Sequence, residues 1–270
     1  MAGGPTLLTG AAGLLGHWLL QFAPQPRDVI ALTHRRALAG VTSVAADLRE
    51  PAGVAAAVAK VEPTLVIHAA YAKDRVSIVD ATQHVVDAAN AAGAPVVFIS
   101  TDAVFLGDGV DRDEQSAPDA TWDYGRWKAT AERIVLDGSE HSAIVRLPLL
   151  VSIEPDDHVV RELRAAAASG APTRWFSDEL RRPALASDIA AAVWRIVALP
   201  PGERRGHWHL AGAERLSRFE IARRIVDRLH LPGALVEAAV QPDDSDRPRD
   251  IAFTDARARA TVGWHPSPIA

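Results

Sequence analysis

The sequence predicts an α/β fold, a mostly parallel, doubly wound Rossmann-type sheet with helices on both faces, extended by a small second lobe. Two observations predict it. Short apolar runs of strand length alternate with segments of helical period from Pro5 to about Leu150, the pattern of βα units that build a parallel sheet. The first of these units also carries glycines at its strand-to-helix turn, Thr9-Gly10-Ala11-Ala12-Gly13-Leu14-Leu15-Gly16.

Each element can be justified in order. Pro5 to Leu8 reads as a buried strand, and Leu14, Leu15, Trp18, Leu19 and Phe22 recur at spacings of three and four, the period of an amphipathic helix. Gly10 permits the tight turn, Gly13 lets backbone N–H groups approach a dinucleotide pyrophosphate, and Gly16 lets helix and strand pack closely. The spacing is G-x-x-G-x-x-G rather than G-x-G-x-x-G. Asp28 to Thr33 reads as the second strand, followed by His34-Arg35-Arg36. An NAD site usually places an acid here for the ribose 2′-hydroxyl, whereas two guanidiniums suit the 2′-phosphate of NADP. NADP is therefore the expected cofactor, ahead of NAD. Ser43 to Leu48 reads as a third strand bringing Asp47 beside the adenine, and Leu65 to Ala70 as a fourth, with His68 a packed or backbone-bonded residue.

Val96 to Ile99 delivers Ser100 and Thr101 to the carboxyl edge of the sheet, where ligands collect in open α/β folds. Trp122 to Asp137 reads as a helix that puts Tyr124 and Lys128 on one face at i and i+4. A phenol has a pKa of about 10, and an adjacent ammonium would favour its phenolate and bring it toward working range. Thr101 would hydrogen-bond a substrate carbonyl, Tyr124 would donate its proton, and Lys128 would hold the nicotinamide ribose and bias Tyr124. That is equipment for proton-coupled hydride transfer.

These motifs, with His68-Ala69-Ala70 and Ser100-Thr101-Asp102-Ala103-Val104-Phe105, resemble the extended short-chain dehydrogenase/reductases, and within them the dTDP-4-dehydrorhamnose reductase branch. Ile144 to Pro148, Arg182 to Ala190, His207 to Gly212 and Arg247 to Phe253 extend the resemblance over nearly the whole chain. It implies a cofactor site of Gly10, Ala12, Gly13, Leu14, Leu15, Gly16, Arg35, Arg36, Asp47, Leu48, His68, Ala69, Ala70, Tyr124 and Lys128. It further implies reduction of a ketone, most simply the 4-keto group of a nucleotide-linked deoxysugar. Three departures stand out: Ala103 and Leu149 replace aromatic residues of the branch's sugar-nucleotide pocket, and Ile78 approximately replaces an asparagine. The glycine turn and Arg35-Arg36 also resemble the regulatory subunit of methionine adenosyltransferase, so an NADP-binding regulatory subunit is the alternative reading.

The lobe is expected to be discontinuous. Residues 1–150 form the dinucleotide-binding part, 187–212 return to it, and 151–186 with 213–270 form the substrate lobe. There Arg182 and Arg247 are candidates for a diphosphate and Trp175 for stacking on a ring, each with a structural alternative. His207 and His209 alternate as a strand would, and the sequence suggests no metal. Arg218 to Arg228 reads as an amphipathic helix with a solvated basic face. A chain of 270 residues, 48% hydrophobic, can bury a sizeable core. A net charge of −5 argues against nucleic acid as a partner, and zero cysteines exclude disulfides and thiol catalysis. No apolar stretch spans a bilayer and Met1 to Pro5 lacks secretory features, so cytoplasmic residence is expected. The expected partner is a small-molecule ketone, with room for a homo-oligomer.

Overall fold

The computed structural model describes residues 4–34 and 37–269. The chain begins with β1 (Thr6–Thr9), α1 (Leu14–Gln21), β2 (Val29–Thr33), β3 (Ser43–Ala45), α2 (Pro51–Val61), β4 (Leu65–His68), α3 (Ala81–Ala91), β5 (Val96–Thr101), α4 (Asp123–Gly138) and β6 (Ala143–Leu147). It continues through β7 (Leu150–Val151), α5 (His158–Ser169), β8 (Thr173–Phe176), β9 (Leu180–Arg181), β10 (Ala184–Leu185), α6 (Ala186–Val197), α7 (Pro201–Arg204) and β11 (Gly206–His209). The last elements are β12 (Leu216–Ser217), α8 (Arg218–Arg228), β13 (Val236–Ala239) and α9 (Ala256–Val262).

Seven strands form one parallel sheet in the order β11-β6-β5-β4-β1-β2-β3. The β4–β1–β2 region reverses the direction of winding, so the carboxyl ends of β1, β4 and β5 open onto the crevice typical of such sheets. Register aligns Thr9 with His68 and Ser100 with Arg146. The central strands are buried on both sides, which is why they read as continuous apolar runs rather than alternating ones. On one face Leu8, Ile67, Val97 and Val145 pack beneath α1 and α6; on the other Leu7, Val66, Val96 and Ile144 pack beneath α2, α3 and α4. The third strand is shorter than Ser43 to Leu48, because the chain turns away after Ala45 and the Asp47 side chain is taken up by Arg49.

Three two-stranded pairings, β7 with β10, β9 with β12 and β8 with β13, frame the small lobe. Its core joins Val159, Val160 and Leu163 of α5 to Ile221, Ala222 and Ile225 of α8. Ser217 and Glu220 form a reciprocal capping box on α8, satisfying backbone N–H groups at its start. Residues 186–209 return to the sheet, with Trp194 Nε1 donating to the Leu19 carbonyl at 2.8 Å. The expected lobe boundary needs one correction: Ala258, Val262 and Trp264 pack into the large core under the sheet, not into the lobe. Trp264 is fully buried and donates to the Ala211 carbonyl at 2.9 Å, so this segment fastens onto the strand that follows the return. Among the described residues no helix is long and apolar enough to cross a membrane.

Candidate active site

The glycine turn joins β1 to α1, and at its crest Ala12 and Gly13 are exposed. Gly10 has φ +73° and an added Cβ would lie 2.7 Å from the Ala69 carbonyl carbon, so this turn is pressed against the chain leaving β4. At Gly16 an added Cβ would meet the Gly10 carbonyl oxygen at 2.2 Å. Gly10 therefore serves two purposes, the turn and the approach to Ala69-Ala70, and Gly16 seats α1 on the turn. No side chain caps α1, whose N-cap is Gly13. Its first N–H groups lack intrahelical acceptors and carry the positive end of the helix dipole, the donor set a pyrophosphate requires.

His68 is fully buried. Thr9 Oγ1 accepts the Ala69 and Ala70 N–H groups at 3.1 and 3.2 Å, so its own proton goes to His68 Nδ1 at 2.7 Å. Thr82 Oγ1 donates to the Ile78 carbonyl and accepts from His68 Nε2 at 3.1 Å. Every proton in this chain is assigned if His68 is the neutral Nε2–H tautomer. Burial, helped by the Lys128 charge, pushes its pKa down to about 3. His68 thus clamps the ends of β1 and β4 and holds Ala69 and Ala70 under the glycine turn.

At the adenosine end, Asp47 accepts from Arg49 Nη2 at 2.6 Å and from the Arg49 N–H at 3.0 Å, and His34 Nε2 lies 3.4 Å away. The Arg49 contacts hold its carboxyl far below the usual range. The Leu48 carbonyl faces His84 Nδ1 at 2.9 Å. Arg35 and Arg36 lie outside the described residues.

Thr101, Tyr124 and Lys128 converge at the end of β5. The convergence depends on Gly125, where an added Cβ would meet the Ala103 carbonyl oxygen at 2.3 Å and the Ala120 Cβ at 2.4 Å. Only a residue without a side chain lets α4 dock this closely on the turn after Thr101. Lys128 Nζ is buried and donates to the Ile99 carbonyl at 2.9 Å, with the Phe98 and Tyr71 ring centroids 4.5 and 5.1 Å away. The Tyr71 and Tyr124 ring centroids are 6.1 Å apart. Burial pulls the Lys128 pKa down to about 7, opposed by Glu132 one turn further along the helix.

The expectation that Lys128 eases ionisation of Tyr124 is corrected here. The Lys128 ammonium is turned toward Ile99, and desolvation, reinforced by Tyr71 and Asp102 and only partly offset by the Thr101 hydroxyl, raises the Tyr124 pKa well above its ordinary value. Tyr124 is firmly protonated at neutral pH, which suits a proton donor and not a base.

Beneath the pair lies a buried ionic network. Ser100 Oγ donates to Glu132 Oε1 at 2.5 Å, and Arg146 donates to both oxygens of Glu132, at 3.0 Å from Nε and 2.7 Å from Nη2. Glu132 is brought down to about 2 by its hydrogen-bonding partners, among them His207 and Arg146, against the opposing effect of burial. His209 Nδ1 donates to the Thr254 carbonyl at 3.0 Å, so its Nε2 accepts from Arg146 at 3.2 Å. Both alternating histidines are thereby joined to this network, His207 at 3.7 Å from Glu132.

Each lobe candidate has protein partners, in keeping with the structural alternative left open for it. Arg182 Nε donates to the Gly212 carbonyl at 3.1 Å, closing the strand end. Arg247 pairs with buried Glu179, contacting its carboxylate at 3.0 Å, and half of the Arg247 side chain remains exposed. Trp175 is buried in the lobe core, with the Arg218 guanidinium 5.6 Å from its ring centroid, so the indole faces protein rather than a ligand. Leu149 also packs on that core, and Ala103 on the cluster of Val104, Phe105 and Phe253. Four residues that sequence reasoning did not assign complete the site: Tyr71, Asp102, Gly125 and Glu132. Their signals were present as position alone, since Tyr71 follows His68-Ala69-Ala70 and Glu132 continues the Tyr124–Lys128 spacing.

Comparison with known proteins follows this geometry. A solved structure from Sulfolobus tokodaii, described as a hypothetical dTDP-4-dehydrorhamnose reductase, superposes with a TM-score of 0.84 at 26% identity over 98% of both chains. The dTDP-4-dehydrorhamnose reductase of Bacillus anthracis, solved with NADP, shares the fold with a TM-score of 0.82 at 21% identity, covering 99% of this chain and 95% of that one. Methionine adenosyltransferase 2 subunit beta of Xenopus tropicalis is 26% identical over 249 residues, 84% of this chain and 73% of that protein. The family model described as the RmlD substrate binding domain matches residues 5–269, and the chain belongs to that family.

Proposed function

We propose that the protein is an NADP-dependent reductase of a ketone, with a nucleotide-linked 4-keto deoxysugar as its substrate class. The observation that carries the proposal is the meeting of Thr101, Tyr124 and Lys128 at the end of β5, two strands from a glycine turn whose Ala12 and Gly13 are exposed. The cradle fits a dinucleotide: Gly10, Gly13 and Gly16 with the N-terminus of α1 would hold the pyrophosphate, Asp47 and Leu48 would border the adenosine, and Arg35 with Arg36 would meet a 2′-phosphate. When bound, the nicotinamide supplies the hydride. Tyr124 holds the proton destined for the substrate oxygen, kept in place by its raised pKa. Lys128 places a cation behind the ring pair Tyr71–Tyr124, and a ribose within reach would supply the partner it now finds in Ile99. Similarity to dTDP-4-dehydrorhamnose reductases supports the substrate class, while Ala103 and Leu149 make a less aromatic pocket and favour a ketone other than dTDP-4-dehydrorhamnose.

The relation to methionine adenosyltransferase 2 subunit beta favours a second reading, an NADP-binding regulatory subunit with little turnover. One experiment separates the two. NADPH and NADH are titrated into the native protein, and NADPH oxidation is then followed across a panel of nucleotide-linked 4-keto sugars. Tighter binding of NADPH with turnover of one member is expected. Tight binding with no turnover anywhere in the panel, together with a co-purifying partner, selects the regulatory reading, and NADH bound at least as tightly as NADPH removes the cofactor assignment.

A further inference from the structure

Lys128 carries its charge in a compartment that offers it a single oxygen. The residue is 3% exposed, and the one hydrogen bond of its Nζ among the described residues goes to the Ile99 carbonyl at 2.9 Å. An ammonium has three donors, so two N–H groups are left for other partners. Glu132, one turn along α4, is already engaged by Ser100 and Arg146. What faces the ammonium instead is aromatic. The ring centroids of Phe98 and Tyr71 lie 4.5 and 5.1 Å from Nζ, inside the distance of about 6 Å over which a ring face attracts a cation.

The two rings are not equivalent. Phe98 is 1% exposed and belongs to β5, so the sheet fixes it for reasons of its own. Tyr71 is 53% exposed and lies in an irregular segment between β4 and α3. Burial of its ring is therefore incomplete, and what the ring does touch is the site: Lys128 on one side and the Tyr124 ring, 6.1 Å between centroids, on the other.

We infer that Tyr71 is a positioning residue for Lys128, its ring face supplying the partner that keeps the ammonium charged and turned inward against Ile99. Without that face the cation is left with one carbonyl and one ring in a dry site, and the neutral amine replaces it at lower pH. Tyr71 thereby sets the pH range over which a cation stands behind Tyr124. Burial draws the Lys128 pKa down to about 7, so the loss of a partner is read near neutral pH. The other titratable groups around the amine are Tyr124 and Glu132 of α4 and His68 of β4, the last neutral in this range. The inference rests on Lys128 as the cation of the proposed site, but its test uses neither cofactor nor substrate, so it stands or falls apart from NADPH binding.

The chain has three lysines, Lys60, Lys73 and Lys128. Protein labelled with 13C at lysine Cε gives three NMR signals, and Lys128→Met identifies that of Lys128. Its titration is followed in the native protein, in Tyr71→Phe, and in proteins carrying monofluoro- and trifluorophenylalanine at position 71. Tyr71→Phe keeps the ring face and should keep the native midpoint. Fluorination leaves the ring in place at nearly the same size but drains its face of electrons. The midpoint should fall stepwise with the number of fluorines, until Lys128 holds its proton about 3- to 30-fold less tightly than in Tyr71→Phe. A midpoint indifferent to fluorination means that the ring only excludes water and overturns the inference, as does a midpoint that already falls to the trifluoro value in Tyr71→Phe. If the trifluoro protein does not fold, the monofluoro protein decides the matter alone.

Discussion

Tyr124 and Lys128 sit one helical turn apart, yet the structure gives them separate electrostatic lives. The phenol is desolvated and holds its proton, and the amine is turned to a carbonyl behind it. Tyr124→Phe removes the hydroxyl while keeping the ring against Tyr71. Turnover of the substrate found in the panel should fall by about 10²-fold or more, with NADPH affinity little changed; steady-state kinetics beside a binding titration checks this, and unchanged turnover would dismiss Tyr124 as the donor. Lys128→Met should impair both measurements. Lys128 is buried beneath the ring pair, and in the proposed reaction it would serve both cofactor contact and proton supply.

At the scale of elements, the docking of α4 on the turn after β5 makes the site. Gly125→Ala places a methyl into the Ala103 carbonyl and Ala120, so the start of the helix must move away. Overpacking of this kind costs about 1–3 kcal/mol, and a displacement near 1 Å at Tyr124 costs about 10²-fold in rate. Gly202→Ala, where an added Cβ meets nothing within 4 Å, is the control and should change neither. Thermal melting and turnover together would show whether tight docking matters, and wild-type behaviour in Gly125→Ala would refute it. The sequence disclosed the strands of the sheet well, because strands covered on both faces must be apolar throughout. It disclosed the glycine turn and the Tyr124–Lys128 face because each depends on local spacing. It did not disclose Gly125 as a docking point or the direction of Lys128, and it left Trp175 open between a core place and a stacking one. Each of those depends on segments that meet only in three dimensions: the Ala103 carbonyl, the Ile99 carbonyl, and Arg218 over the indole. Arg182 and Arg247 showed the same limit, since an arginine's spacing does not reveal whether Gly212 or Glu179 takes up its fork.

Across the whole molecule, two buried neutral histidines tie stability to pH. His68 and His209 both have pKa values near 3 in the folded protein, against 6.5 for the free side chain. The unfolded chain therefore binds protons that the native state refuses, and their contribution is complete above about 6.5 and declines as pH falls toward 3. Glu132, depressed when folded, adds a loss of the same sign in more acid solution, whereas Asp102, raised when folded, acts in the opposite sense. The histidines outnumber it. The melting temperature should drop between pH 7 and 5, and His68→Gln should flatten the slope while lowering stability at neutral pH; a melting temperature independent of pH would contradict the neutral assignment.

The path of the chain carries one more consequence. The edge strand β11 arrives only after the chain has left the sheet at β6, laid down much of the lobe and returned through α6, and Trp264 closes the core later still. During synthesis the first 150 residues emerge with β6 unpaired along one edge, Arg146 lacking His209, and α1 uncovered where Trp194 will sit. The nascent chain cannot finish its nucleotide-binding half and then begin the other; both must wait for nearly the entire polypeptide. A fragment of residues 1–150 should accordingly aggregate or remain protease-sensitive, and ribosome-stalled chains should gain protection abruptly once Trp264 has emerged, rather than in two stages.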